Sequence, residues 1–208
     1  MTIKLFHHPW SRAATCVWML EEIGEPYELE YVDIRAGAHK SADHLARNRM
    51  GKLPVLFDRD ATICEVAAIG IYLADRYAHG RLAPALDDPR RGAYLRWAFY
   101  APSVIEPASM ARSSNWEYQP SSAGFGTYED MVVTLDDGLT GKSYLLGDQF
   151  TMADIIVGAT VRWMLQFGMM EATPTIGAYA ERLGERPALQ RANAINQGIV
   201  EERGLRTA

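Results

Sequence analysis

The sequence predicts an α/β N-terminal domain followed by an all-α C-terminal domain. Short strand-like segments alternate with helical segments over residues 1–79, whereas the pattern from residue 88 onward is helical. Residues 80–87 lie between them and contain glycine, proline and aspartate, which are typical of a loop. We therefore expect two domains, at 1–79 and 88–208, joined by a linker at 80–87.

The N-terminal elements follow the order βαβ and then ββα. They are a strand at 3–7, a helix from about 11 to 23, strands at 27–32, 54–57 and 62–64, and a helix at 67–77. The first two strands are joined by a helix, as a parallel pair requires, and the last two by a short turn, as an antiparallel pair allows. A further short helix is expected near residues 41–46. This order is that of a thioredoxin-like domain.

The C-terminal half predicts a helical domain around one buried helix. A long helix is expected from about 88 to 112, bent or interrupted by Pro102 and Pro107. Thr151 and Asp154 have the spacing of a capping box at a helix start. Residues 155–167 are apolar on nearly every side, which predicts the buried axis of this domain.

Composition excludes several classes of function. The 208 residues carry a net charge of −5 without a long run of one sign, so no basic footprint for nucleic acid is present. No apolar run is long enough to cross a bilayer. The two cysteines, Cys16 and Cys64, form neither a disulfide framework nor a metal-ligand cluster. We therefore expect no metal site. Because the sequence begins in a strand-like segment without a signal-peptide pattern, we also expect a cytoplasmic location.

The most informative stretch is GKLPVLF at residues 51–57, followed by a helix start at Glu65 and Val66. Proline has no backbone donor, so an apolar strand entered through Pro54 leaves backbone groups free for a bound peptide. A helix start offers unpaired N–H groups, which suit a carboxylate. Together these features predict a site for a small anionic peptide.

Five segments, in this order along the chain, resemble those of the cytosolic glutathione transferases. They are residues 4–12 (KLFHHPWSR), 18–27 (WMLEEIGEPY), 51–56 (GKLPVL), 144–154 (YLLGDQFTMAD) and 179–188 (YAERLGERPA). The resemblance implies glutathione as co-substrate, a small apolar electrophile as second substrate, and a homodimer. It also implies that Pro54 follows a cis peptide bond.

The resemblance assigns roles to single residues. Ser11 lies where the serine-using members of the family place their catalytic hydroxyl. The positions that match the family's glutathione-binding residues are His39 (or Lys40), Lys52, Leu53, Pro54, Glu65 and Val66. The family usually has Ser or Thr where this chain has Val66, so one hydrogen bond to the γ-glutamyl carboxylate is lost. That loss predicts affinity weaker by about ten- to a hundredfold.

Ser11 is expected to donate a hydrogen bond to the sulfur of glutathione, which favours the thiolate and lowers its pKa. One pKa unit corresponds to ~1.4 kcal/mol, and a hydrogen bond to a charged group supplies about 1.5–3 kcal/mol. One hydroxyl at a helix start is therefore sufficient for a useful shift. Without the resemblance, Ser11 would be interpreted as an ordinary helix N-cap. Cys16 is the rival nucleophile, although a cysteine inside a helix is more often inert packing.

Four side chains are assigned to a pocket for the electrophile: Trp10, Trp97, Tyr100 and Val104. The last three lie at 3- and 4-residue spacing on one helix, which is equally typical of core packing at a domain interface. Two other activities stay open, namely glutathione-dependent peroxide reduction or dehalogenation. A non-catalytic interaction module of the same fold is the alternative from another class, and the substitution at Val66 favours it.

Overall fold

The computed structural model describes residues 2–205 and consists of four strands, nine α-helices and short 3₁₀ and π-helical segments in that range. The strands are β1 Ile3–His7, β2 Tyr27–Tyr31, β3 Val55–Asp58 and β4 Ala61–Cys64. The α-helices are α1 Ala13–Ile23, α2 Ala42–Arg47, α3 Val66–Tyr77, α4 Arg91–Tyr100, α5 Glu106–Ser113, α6 Tyr128–Leu139, α7 Met152–Gln166, α8 Pro174–Gly184 and α9 Pro187–Glu202. The expected α/β domain followed by a helical domain is confirmed.

The four strands form one mixed sheet in the order β2-β1-β3-β4. Strand β1 is parallel to β2 and antiparallel to β3, and β3 is antiparallel to β4. Leu5 lies at the centre of this sheet, opposite Leu29 on one side and Leu56 on the other, and is fully buried. Helix α1 packs against β1 and α3, which gives the predicted thioredoxin-like arrangement.

The chain divides into two compact units that are not both continuous in sequence. The first unit comprises Met1–Tyr77 together with Arg186–Ala208, and the second comprises Ala78–Glu185. The sequence predicts one helical domain at 88–208. In the structure the last helix of that range lies in the other unit. Helix α9 packs against α1 and so belongs to the first unit. The expected linker at 80–87 lies inside the second unit.

The second unit contains five α-helices, and the regular α-helix is interrupted near the two prolines. As expected, the helix over 88–112 is interrupted: α4 is followed by a π-helical segment at Ala101–Ile105 and then by α5. Pro102 lies in that π-helical segment, since it has no N–H to donate to the preceding turn. Pro107 lies in the first turn of α5, where a missing N–H costs no helix bond.

Helix α7 is buried on all sides in its first half and on one side in its second half, where Val161 and Met164 are buried. Every residue from Met152 to Gly158 is buried, as expected for the axis of a helical unit. Gly158 allows α8 to approach closely, since a Cβ there would overlap the side chain of Leu183. The prediction that burial continues to residue 167 is wrong, because Trp163 and Phe167 are 49% and 60% exposed. An apolar sequence alone does not distinguish the two cases.

Candidate functional site

Ser11 lies in the turn of residues 8–12 that connects β1 to α1, which we call the Ser11 turn. Its hydroxyl donates to the carbonyl of His8 at 2.8 Å and accepts from the N–H of Ala13 at 3.2 Å. The same His8 carbonyl also accepts from the N–H of Ser11 at 3.0 Å. The hydroxyl can therefore rotate to another acceptor without leaving that carbonyl unpaired.

The side chain of His8 is buried beneath the turn. Its Nδ1 accepts from the N–H of Trp10 at 3.1 Å, so the proton of the neutral ring is on Nε2. Burial lowers the pKa of His8, while the charge of Asp33 opposes that change and the charge of Arg35 adds to it. The imidazole is thus held neutral, as an internal support of the turn.

Trp10 is the exposed side chain of the Ser11 turn that was assigned to the electrophile pocket. It is 36% exposed. The guanidinium of Arg35 lies 4.4 Å from the centroid of its ring, and the ring of His8 lies 5.8 Å away on a tilted plane. A flat apolar surface held by a cation–π contact is therefore present next to Ser11.

His39 and Lys40 form a short 3₁₀ segment with Ala38, packed against Gly51. A Cβ at Gly51 would lie 2.8 Å from the carbonyl oxygen of His39 and 2.8 Å from the side chain of Lys40, so only glycine allows this contact. The amine of Lys40 donates to the carbonyl of Met50 at 2.9 Å. The Nδ1 atom of His39 is buried and has no hydrogen-bond partner among the described residues. Of the two residues considered at this position of the glutathione site, the amine of Lys40 is thus paired, whereas Nδ1 of His39 has no partner in the described part of the chain.

Lys52 is exposed, and its backbone is anchored by two residues that the sequence interpretation missed. The Nε2 atom of His44 and the amide nitrogen of Asn48 each lie 3.1 Å from its carbonyl oxygen. Both side chains are buried; His44 lies in α2, and Asn48 is the residue directly after the end of that helix. The signal was their i, i+4 spacing next to a predicted short helix.

The next two predicted residues, Leu53 and Pro54, lie where β3 begins, and the peptide bond between them is cis, as predicted. Glu65 has a positive φ of 68°, which is uncommon for a residue other than glycine. Its carbonyl accepts from the N–H of Ile69, and α3 starts at Val66. The predicted helix start is therefore present, with Glu65 exposed in front of it.

One buried cluster brings the predicted segments together. Ala13, Leu53, Phe6, Val32 and Val55 form it, with Ala38 and Cys64 packed against its edge. Ala13 lies two residues after Ser11, Ala38 precedes His39, and Cys64 precedes Glu65. The Ser11 turn, the 3₁₀ segment, the start of β3 and the start of α3 therefore meet around a common core in the first unit.

Neither cysteine has the surroundings of a nucleophile. Cys16 is fully buried in α1, and burial raises the pKa of its thiol far above the ordinary value. Burial, with the charge of Glu65, also raises the pKa of Cys64. Both thiols are accordingly protonated at neutral pH, which agrees with the interpretation of Cys16 as packing.

The other three residues assigned to the electrophile pocket lie in the second unit. Trp97 is 4% exposed, and its ring contacts Gly138, where a Cβ would overlap it. The hydroxyl of Tyr100 donates to the carbonyl of Met131 at 3.1 Å. Val104 is half-buried in the π-helical segment. Within this unit, Trp97 and Tyr100 serve as core, and their part in a pocket stays a prediction.

Two further findings concern the described residues 2–205. No group of three or more His, Cys, Asp or Glu side chains in this range is placed to hold a metal ion. None of the helices in this range has both the length and the apolar character that crossing a membrane requires.

Comparison with known proteins gives matches to both halves of the chain. Residues 1–75 match the family model "Glutathione S-transferase, N-terminal domain", and residues 119–191 match "Glutathione S-transferase, C-terminal domain". Glutathione S-transferase 3 of Zea mays is 30% identical over 211 residues, which cover 92% of this chain and 93% of the relative.

Two solved structures have the same fold. A glutathione transferase from Methylococcus capsulatus str. Bath has a TM-score of 0.78 at 27% identity and covers 94% of this chain and 99% of its own. The glutathione transferase URE2P8 of Phanerochaete chrysosporium, solved with oxidised glutathione, has a TM-score of 0.78 at 21% identity. It covers 96% of this chain and 97% of its own, and at that identity the likeness concerns the fold alone.

Proposed function

Since this chain belongs to the glutathione S-transferase family, we propose that it adds the thiolate of glutathione to small apolar electrophiles. The observation that carries this proposal is the buried cluster of the first unit. It gathers the Ser11 turn, the 3₁₀ segment with His39, the start of β3 and the start of α3 around one place. A tripeptide with a thiol at its centre needs contacts at both ends and at its sulfur, and these segments supply them.

Each part of glutathione has a partner in this arrangement. The backbone of Leu53, next to Pro54, pairs with the cysteinyl residue, as in an added strand. The N–H groups at the start of α3, with Glu65 in front, hold the γ-glutamyl end. The half-buried His39 and the exposed Lys52 serve the glycyl carboxylate.

Ser11 activates the sulfur by donating its hydroxyl proton to the thiolate in a hydrogen bond. To do so the hydroxyl rotates away from the carbonyl of His8, which keeps the N–H of Ser11 as donor. The N–H of Ala13 continues to donate to Oγ and holds it in place. Because the bond is made to the anion, the pKa of the thiol falls and its proton passes to water.

The reaction then needs no further covalent step from the protein. The sulfur lone pair forms the new bond to the electrophilic carbon, and the leaving group departs with the electron pair of the bond that breaks. Holding the ionised sulfur beside the electrophile supplies the rate enhancement. Trp10, stacked under Arg35, offers the apolar surface next to Ser11. We also propose the family's homodimer as the working form and the cytoplasm as its location.

Two measurements test this function. Isothermal calorimetry with glutathione should give one binding event per chain, and an aryl chloride activated by nitro groups should be conjugated with release of chloride. S-methylglutathione, which has no ionisable thiol, is the matched control that binds without reacting. Absence of binding at millimolar glutathione would contradict the proposal and favour a non-catalytic interaction module. Binding without conjugation would favour peroxide reduction or dehalogenation, and gel filtration tests the dimer.

A further inference from the structure

Helix α9 lies in the same compact unit as the Ser11 turn and packs against α1, the helix that this turn opens. Two ion pairs attach it there. Arg186 makes two contacts with the carboxylate of Glu22, at 2.6 and 2.8 Å, and Arg191 approaches that of Glu21 at 2.6 Å. A helix held this firmly can fix the position of whatever its other side chains touch.

The middle of α9 holds the last residue of β1. The amide oxygen of Asn196 lies 2.7 Å from Nε2 of His7, while its amide nitrogen donates to the carbonyl of Ala192 at 2.8 Å. That second bond fixes the orientation of the amide, so Nε2 of His7 carries the proton and donates. His7 is fully buried, and it directly precedes the Ser11 turn.

The end of α9 supports the next residue along the chain through an aromatic ring. The guanidinium of Arg203 lies 3.8 Å from the centroid of the Tyr31 ring. That ring lies 5.4 Å from the ring of His8, tilted by 34°. His8 in turn accepts from the N–H of Trp10 through Nδ1 and from the hydroxyl of Ser11 through its carbonyl.

We infer that α9 positions the Ser11 turn, with Asn196 and Arg203 as positioning residues that act through His7 and Tyr31. Asn196 fixes the end of β1 from which the turn departs, and Arg203 fixes the ring stack below His8. The inference rests on the proposed function, because it assigns the geometry of the Ser11 hydroxyl to a helix far away in sequence. Neither residue touches the sulfur.

The physical reason is the steep dependence of a hydrogen bond on distance and angle. A hydroxyl that shifts by a fraction of an ångström stabilises the thiolate less, so the thiol pKa of bound glutathione rises while the peptide contacts of glutathione persist. Loss of positioning should therefore lower kcat at neutral pH and leave KM for glutathione nearly unchanged. A purely structural role would lower stability without altering the thiol pKa of the folded enzyme.

The test compares Asn196→Ala with Asn193→Ala, a matched change at an exposed residue of the same helix. The thiol pKa of bound glutathione is followed by the ultraviolet absorbance of the thiolate against pH. We expect Asn196→Ala to raise this pKa by about one unit, with a fall in kcat of up to about tenfold at a pH below the thiol pKa. Asn193→Ala should behave as the wild type. A folded Asn196→Ala enzyme with the wild-type thiol pKa and kcat would overturn the inference.

Two milder variants keep the test decisive if Asn196→Ala does not fold. Asn196→Gln retains an amide that can accept from His7 and donate to a carbonyl, and Arg203→Ala removes an exposed side chain. Each should raise the thiol pKa by less than Asn196→Ala, and wild-type values in both would overturn the inference.

A ligand-free readout separates this inference from the proposed function. Hydrogen exchange of a peptide covering residues 8–13 should be faster in Asn196→Ala than in Asn193→Ala. If wild-type protein binds no glutathione, the proposed function fails, but faster exchange would still support positioning by α9. Unchanged exchange would overturn the inference even where glutathione binds.

Discussion

Two hydroxyl side chains precede buried helices in this protein, Ser11 before α1 and Thr151 before α7, and their surroundings differ. The hydroxyl of Ser11 is half-buried and donates to a carbonyl that already has another donor. Thr151 is fully buried, and both its N–H and its hydroxyl donate to one carboxylate oxygen of Asp154, at 2.8 and 3.0 Å. The hydroxyl proton of Ser11 can therefore be donated to a ligand instead, because the carbonyl that it leaves keeps a donor. The hydroxyl proton of Thr151 is held by the buried carboxylate.

The comparison separates a hydroxyl suited to chemistry from one that holds a helix. Asp154 also accepts from the N–H of Leu145 at 2.9 Å and from the hydroxyl of Tyr179 at 3.1 Å. The predicted capping box is thus present and is the centre of a network that joins α7, α8 and the preceding loop. Residue type and position at a helix start do not distinguish a catalytic hydroxyl from a structural one. What distinguishes them is whether the acceptor of the hydroxyl has a second donor.

The largest effect is expected from Asp154→Ala. The substitution leaves three buried donors without an acceptor, namely the N–H groups of Leu145 and Thr151 and the hydroxyl of Thr151. The hydroxyl of Tyr179 keeps the backbone carbonyl of residue 154 as an acceptor at 3.3 Å. At about 1–3 kcal/mol for each unsatisfied group, the free energy of unfolding falls by about 3 kcal/mol or more. Urea unfolding followed by circular dichroism measures it.

An exposed pair of the same type provides the matched control. Thr127 and Asp130 cap α6, with a hydroxyl-to-carboxylate distance of 2.7 Å, but in an exposed position. Asp130→Ala should cost only about 0.5–1 kcal/mol, since water replaces the lost partner. Equal losses in the two variants would show that burial of the network adds nothing.

Acid should affect the two units in opposite directions. Burial lowers the pKa of His7 to about 4, opposed by its bond to Asn196, and raises the pKa of Asp154 to about 6, opposed by its four donors. The stability from neutral His7 is present above pH 6.5 and is lost as pH falls toward 4. The stability from protonated Asp154 is present below pH 3.8 and is lost as pH rises through 6. Each effect amounts to up to about 3 kcal/mol at full titration.

Hydrogen exchange at increasing urea resolves the two effects, because α1 reports on the first unit and α7 on the second. Between pH 6.5 and 4.5, protection of α1 should fall while protection of α7 rises. Asp154→Asn should abolish the rise in α7 and keep the fall in α1. A parallel fall in both helices of the wild type would contradict the assigned pKa directions.

Much of the first unit was predictable because its signals are local. The order of its strands and helices follows from apolar periodicity. In the second unit the capping box was predictable for the same reason, from the spacing of Thr151 and Asp154. The packing of α9 against α1 was not predictable, because the ion pairs and the bond between Asn196 and His7 join residues far apart in sequence. A polar helix with charged ends is typical of any exposed helix, so its partner is not specified locally.

The candidate site shows the same limit at a smaller scale. The resemblance placed Ser11, Leu53 and Glu65 in the chain, and the buried cluster brings their segments together. His44 and Asn48 were missed, since polar residues in a short helix or directly after it usually face water. Their role becomes visible only when the carbonyl of Lys52 is found within hydrogen-bond distance of both.

A pair of alanine variants tests the comparison of the two hydroxyls directly. Ser11→Ala should lower kcat/KM by about tenfold or more, because it removes the donor to the thiolate, and should cost stability by only about 0.5–1 kcal/mol. Thr151→Ala should show the reverse, a loss of about 1–2 kcal/mol in stability with unchanged kcat/KM of the folded enzyme. Turnover with an activated aryl chloride and urea unfolding measure both quantities. Unchanged turnover in Ser11→Ala would move the activating role to another group.

The smallest effect is expected at Val66, the first residue of α3, where the sequence interpretation expects Ser or Thr from the resemblance. Val66→Ser adds a hydroxyl beside the N–H groups that we assign to the γ-glutamyl carboxylate. A hydrogen bond to that charge should lower the Kd of glutathione by about fivefold to tenfold. The gain is smaller than the full energy of such a bond because a water molecule can already donate to the carboxylate in the wild type.

Ala68→Ser, on an exposed position of the same helix, is the matched control and should leave Kd unchanged. Calorimetry measures both variants. A Kd that stays the same in Val66→Ser would mean that the start of α3 does not hold the carboxylate. The sulfur reaches the hydroxyl of Ser11 only if both ends of the tripeptide are bound at the positions assigned to them. A γ-glutamyl carboxylate bound away from α3 would therefore also call the role of Ser11 into question.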